Sequence, residues 1–140
     1  MRVCLRVFLL SFLTLPLIAG SNDFVAAICP QQVYYLWTQN DVNNFPRDCN
    51  EVTGSIYVDG YPFMRIRTDI KDLSPLSGLK KIGSLWIVNT ELTNLSGLQG
   101  LISISQELQI SGNELLTSIV ELSNVRLFEG RLYINGNPML

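Results

Sequence analysis

The chain has 140 residues, 47% of them apolar, with 10 Lys plus Arg against 12 Asp plus Glu, three cysteines and no histidine. That length admits one domain able to bury a core, and a net charge of −2 offers no basic excess for phosphates, which argues against nucleic acid as a partner. The lack of histidine removes the commonest general base and the commonest metal ligand, so catalysis and a metal or other cofactor are not expected.

The first predicted element is a leader. Arg2 and Arg6 precede the apolar run Val7–Ala19 (VFLLSFLTLPLIA), and small residues follow it. A basic start, an apolar middle of this length and a small-residue exit describe a secretory signal peptide over residues 1–21. Cleavage after Ser21 and cleavage after Ala27 both fit. The run is too short, and too interrupted by Pro16, to span a bilayer, so no membrane span is expected in the mature chain. Removing the leader lowers Lys plus Arg from 10 to 8 and takes the net charge from −2 to −4, or to −3 if Asp23 leaves too. Cys4 also goes. Cys29 and Cys49 then remain in a chain bound for an oxidising compartment, where a disulfide is expected.

Between those cysteines, Pro30 suits a first helical turn, and Val33, Leu36 and Trp37 share one helical face. This predicts a short amphipathic capping helix whose aromatic residues serve packing. Asn40, Asp41, Asn43, Asn44 and Pro46 then predict an irregular return to Cys49.

From Cys49 onward a unit repeats. GSIYV at Gly54–Val58 returns as GSLWI at Gly83–Ile87, and more loosely as QELQI at Gln106–Ile110 and GRLYI at Gly130–Ile134. Ile56, Leu85, Leu108 and Leu132 form one aligned column, and Val58, Ile87, Ile110 and Ile134 a second, at spacings of 29, 23 and 24 residues. Such a period predicts a solenoid whose strands stack these columns inward. Between strands, Leu76, Leu79 and Ile82, then Leu98, Leu101 and Ile104, then Leu122 and Val125, recur in three-residue steps. They are expected to build the other walls as short strands or turns. Gly78, Gly83, Gly97, Gly100 and Gly112 are expected at the corners. Asn113 and Asn137 each lie three residues past the second column, where a buried amide can bond the backbone of neighbouring turns.

These motifs resemble a known family. Cys49-Asn50-Glu51-Val52-Thr53-Gly54-Ser55-Ile56-Tyr57-Val58 is similar to the C-x-x-(I/V)-x-G-x-(L/I)-x-(I/V) opening of the receptor L domain, found in the ectodomains of insulin-receptor and epidermal-growth-factor-receptor families. Leu73–Leu101 resembles the next turn, with I-G-x-L-x-I at Ile82–Ile87 in the place of the family's I-x-G-x-L-x-I. Cys29 with Cys49 matches the family's N-terminal disulfide. The resemblance implies a β-solenoid: a right-handed parallel β-helix of the receptor L-domain type, leucine-rich-repeat-like, with a short N-terminal capping helix, over residues 28–140. It also implies ligand or partner binding. The family continues past Asn-Pro-x-Leu into a closing cysteine, whereas this sequence has Asn137-Pro138-Met139-Leu140 there. The domain is therefore expected to be C-terminally incomplete, with an open edge over Leu132–Leu140 through which it can self-associate.

The carboxylates Asp69, Asp72, Glu107, Glu114 and Glu121 share no strand column and are expected as solvated loop charges. The outward strand column is more informative. Tyr57, Trp86, Gln109 and Tyr133 stand in it, flanked by Ser55, Ser84, Glu107 and Arg131 on one side and by Asp59, Val88, Ser111 and Asn135 on the other. Such a stripe suits an extracellular protein or peptide ligand. Asn94-Leu95-Ser96 is the single N-x-S/T sequon, so Asn94 is the expected glycosylation site. The expectation is thus a secreted or cell-surface binding module. A structural spacer in a wall or matrix is the alternative, and a β-helical polysaccharide-acting enzyme a third reading.

Overall fold

The computed structural model describes residue 29 and residues 31–59 and 67–140. The expected leader, residues 1–21, and both cleavage points lie outside the described residues.

Six strands, β1 (Val33–Leu36), β2 (Glu51–Asp59), β3 (Lys81–Val88), β4 (Ser103–Ser111), β5 (Leu127–Phe128) and β6 (Arg131–Asn135), form one sheet. Its order is β1-β2-β3-β4-β5, with β6 also on β4, and every pairing is parallel. The register places Ile56 beside Leu85, Leu108 and Leu132, and Val58 beside Ile87, Ile110 and Ile134. The two columns read from the sequence are therefore neighbours in the sheet.

The closed β-helix does not form. A single open parallel sheet stands in its place, and among the described residues the return segments contain no second sheet. Their three-residue steps explain why. Leu76 N–H donates to Leu73 O at 2.8 Å and Leu79 N–H to Leu76 O at 2.9 Å. Leu98 and Leu101 repeat this on Leu95 and Leu98, both at 3.0 Å, and Leu122 and Val125 repeat it on Ile119 and Leu122, again at 3.0 Å. A period of three is that of the 3₁₀ turn, in which residues i and i+3 eclipse on one side. These amides bond within their own turn, so they cannot ladder to the next segment as strands do. Two of the stretches, Ser74–Leu76 and Val120–Asn124, are 3₁₀ helices. Leu73, Leu76, Leu79, Leu95, Leu98 and Leu101 are all buried and cover the inner face of the sheet.

The predicted capping helix is also displaced. Val33–Leu36 is strand β1, paired with Ser55–Val58 of β2, because Val-Tyr-Tyr-Leu is β-branched and aromatic and alternates exposed with buried. The helix, α1 (Gln39–Asn43), occupies the segment expected to be irregular. Thr38 is its N-cap: its hydroxyl oxygen accepts from Asp41 N–H at 3.2 Å, and the Asp41 carboxylate accepts from Thr38 N–H at 2.9 Å, a capping box. Asn and Asp, read as helix breakers, here serve the first turn.

Cys29 and Cys49 are joined by a disulfide across 20 positions, a closure contributing about 3 kcal/mol in the chain-entropy account. Gly83, expected at a corner, lies inside β3, where the register slips between Ile82 and Ser84. A Cβ there would overlap the Gly54 and Thr53 carbonyl oxygens, so close backbone approach rather than a bend requires glycine. Gly97, by contrast, has φ 111° and does make a turn.

Asn113 is wholly buried. Its Oδ1 accepts from Thr90 N–H at 3.0 Å and from the Thr90 hydroxyl at 2.7 Å, while its Nδ2 donates to Ile87 O at 2.9 Å. Asn137 repeats the motif one unit on: its Nδ2 donates to Ile110 O at 3.0 Å and its Oδ1 accepts from Asn113 N–H at 3.0 Å. Burial thins toward β6, where Leu132 is 54% and Ile134 41% exposed, against 1% for Leu85. Among the described residues no helix is long and apolar enough to cross a membrane.

Candidate ligand-binding face

The strand register settles the composition of the outward stripe. Tyr35 of β1 pairs with Tyr57, Tyr57 with Trp86, Trp86 with Gln109, and Gln109 with Tyr133. The four residues named from the sequence thus form one row, and Tyr35 joins it. The helical reading of Val33–Trp37 hid Tyr35; the β-branched and aromatic composition of Val33–Leu36 is the one sequence signal that points to a strand there. Its neighbour Tyr34 does pack inward, against Phe45 at 4.9 Å between ring centroids.

The rings touch each other. Tyr35 and Tyr57 stack with centroids 5.2 Å apart and planes 12° apart, and Trp86 meets Tyr57 edge-on at 5.0 Å. Trp37 lies 5.8 Å from Tyr35. Each contact stabilises the face by about 0.5–1.5 kcal/mol beyond area burial, so the rings support one another without a partner. Tyr35, 58% exposed, carries the largest open surface of the row. The hydroxyls of Tyr35, Tyr57 and Tyr133 and the indole N–H of Trp86 have no hydrogen-bond partner among the described residues. Gln109 is half-buried, and its side-chain amide donates to the Ser111 hydroxyl at 2.9 Å.

The flanking columns are less open than alternation predicts. Asp59, Ser84 and Ser111 are buried. Burial pushes the Asp59 carboxyl up to about 6, because removal from water penalises the charged form, and its Oδ1 has no partner among the described residues. In the unfolded chain this group ionises near 3.8. Between that value and about 6 the folded state holds a proton that the unfolded state has lost, so the contribution of Asp59 to stability falls as pH rises through this window. Asp59→Asn is expected to flatten that part of the stability–pH curve and to stabilise the fold at neutral pH, measured by urea unfolding at pH 4, 5, 6 and 7.

Three of the five carboxylates read as loop charges have partners, whereas Glu107 lies in β4 and Glu121 Oε2 is buried with no partner among the described residues. Asp69 accepts from Gln39 N–H at 2.8 Å at the start of α1, Asp72 accepts from Ser74 N–H at 2.8 Å, and Glu114 pairs with Arg67. Asn94 sits in a half-buried bend away from the aromatic row, its Oδ1 accepting from Ser96 N–H at 2.9 Å. No family model matches this chain, and neither a curated protein nor a solved structure matches it.

Proposed function

We propose that the chain is an extracellular binding module, resembling a receptor L domain in its strand motifs, that takes a protein or peptide ligand on the outward face of its sheet. The observation that supports this reading is the row Tyr35–Tyr57–Trp86: rings held by one another, with polar tips that lack partners among the described residues. Rigid aromatics carrying a polar handle lose little entropy on binding and dominate interface energetics. The disulfide Cys29–Cys49 suits the oxidising compartment that this reading requires.

Peptides selected from a displayed library on the intact protein supply a probe. Trp86→Ala and Tyr57→Ala are each expected to weaken the selected peptides about 30-fold, equivalent to about 2 kcal/mol. Unaltered affinity in both folded variants would leave the row as packing and favour the spacer.

The secretory route also makes Asn94 a glycan acceptor. Secretion from eukaryotic cells is expected to give a band that endoglycosidase shifts to higher mobility and that Asn94→Gln abolishes.

A further inference from the structure

The starts of β2, β3 and β4 and the segment before β5 form a lateral row through the backbone ladder: Lys80 N–H donates to Asn50 O at 2.7 Å, Ile102 N–H to Lys80 O at 2.8 Å, and Arg126 N–H to Ile102 O at 3.0 Å. Two clefts open along this edge. One, of about 660 Å³, is lined by residues that include Arg47, Lys80 and Lys81. The other, of about 550 Å³, is lined by residues that include Lys80, Gln99, Asn124 and Arg126. Lys80 and Ile102 border both, so the clefts form one groove.

The charge there runs against the acidic balance of the whole chain, whose net charge is −2. The described residues hold seven Lys and Arg, of which Arg67, Lys71 and Lys81 have acidic partners. Of the four that form no ion pair among the described residues, three, namely Arg47, Lys80 and Arg126, line the groove. Glu51 also borders it, 3.5 Å from Lys81, and Asp48 stands at one end.

We propose that this groove binds a linear sulfated polysaccharide, at a site separate from the aromatic row. Lys80 and Arg126 lie two strands apart, roughly 10 Å at the usual strand spacing, with the uncharged Ile102 between them. This suits anionic groups repeated along an extended chain. Gln99 accepts from Gly97 N–H at 2.7 Å and Asn124 donates to Gln99 O at 2.9 Å, which leaves the Gln99 amide donors and the Asn124 carbonyl for sugar hydroxyls. An acidic peptide fits less well. Its affinity for a sheet edge comes from main-chain hydrogen bonds, and the amides of Lys80, Ile102 and Arg126 are already committed to the ladder. Guanidinium and ammonium groups donate charge-assisted hydrogen bonds to sulfate oxygens.

The test is titration of the folded protein with a sulfated glycosaminoglycan octasaccharide, beside its desulfated counterpart and polyglutamate of similar charge. Binding of the sulfated chain alone is expected, weakening strongly between about 0.1 M and 1 M salt as the screening length falls from roughly 10 to 3 Å. Lys80→Gln with Arg126→Gln is expected to reduce affinity at least tenfold with an unchanged thermal midpoint, and Lys80→Arg to retain it within about twofold. Trp86→Ala leaves it unaltered, which separates this site from the aromatic face. No binding by the wild type, equal binding of polyglutamate or the desulfated chain, or full affinity in the double variant overturns the proposal.

Discussion

Replacing Asn113 with alanine is expected to lower stability by about 3–5 kcal/mol, read as a shift in the urea midpoint at unchanged slope. The side chain is fully buried, and three of its bonds satisfy groups that have no route to water: Thr90 N–H, the Thr90 hydroxyl and Ile87 O. An unsatisfied buried polar group costs about 1–3 kcal/mol, and several are orphaned together. Asn137→Ala, at the equivalent place one unit on but half-buried, is expected to cost less, about 1–2 kcal/mol. Asn113→Asp keeps the acceptor but loses the donor to Ile87 O and buries a charge, so it too is expected to destabilise, most strongly at neutral pH. An Asn113→Ala variant as stable as wild type would mean that the amide ladder contributes nothing.

Leu85→Ala is expected to cost about 3–4 kcal/mol through lost burial and the cavity left behind. Leu85 is 1% exposed, between Ile56 and Leu108 in the inner column. Trp86→Ala, one residue along but outward, removes one edge-on ring contact and is expected to cost about 1 kcal/mol. Leu132→Ala, in the same column as Leu85 but 54% exposed, is expected to cost under about 1 kcal/mol. The series therefore reads strand register and depth of burial at once. A severe Trp86→Ala with a silent Leu85→Ala would put the whole inward set one residue out of phase.

Much of this was legible from residues alone because it depends on local pattern. The strands around Ile56, Leu85, Leu108 and Ile134 announce themselves by alternation, and the repeated five-residue unit aligns them in the order the sheet adopts. Asn113 and Asn137 stand out because their offset from the second column is constant. Four residues of the outward row follow from the same parity, and the cysteine pair from counting.

What the residues could not decide is what the remaining backbone does. The three-residue leucine steps are compatible with short walls of strand or with turns; local Leu73–Leu76 and Leu76–Leu79 bonding makes them turns, and the sheet stays open. Val33–Leu36 matches a helical face and a strand equally over so few residues. The free edge of β2, which offers backbone partners from Ser55 to Val58, selects the strand and so brings Tyr35 onto the aromatic row. Periodicity records which side a residue faces, whereas pairing depends on which backbone groups elsewhere are left unsatisfied. The cationic groove belongs to the same class. Arg47, Lys80 and Arg126 are far apart in a chain of acidic balance and form no basic run, and only the parallel register, which sets successive strand starts side by side, gathers their charge onto one edge.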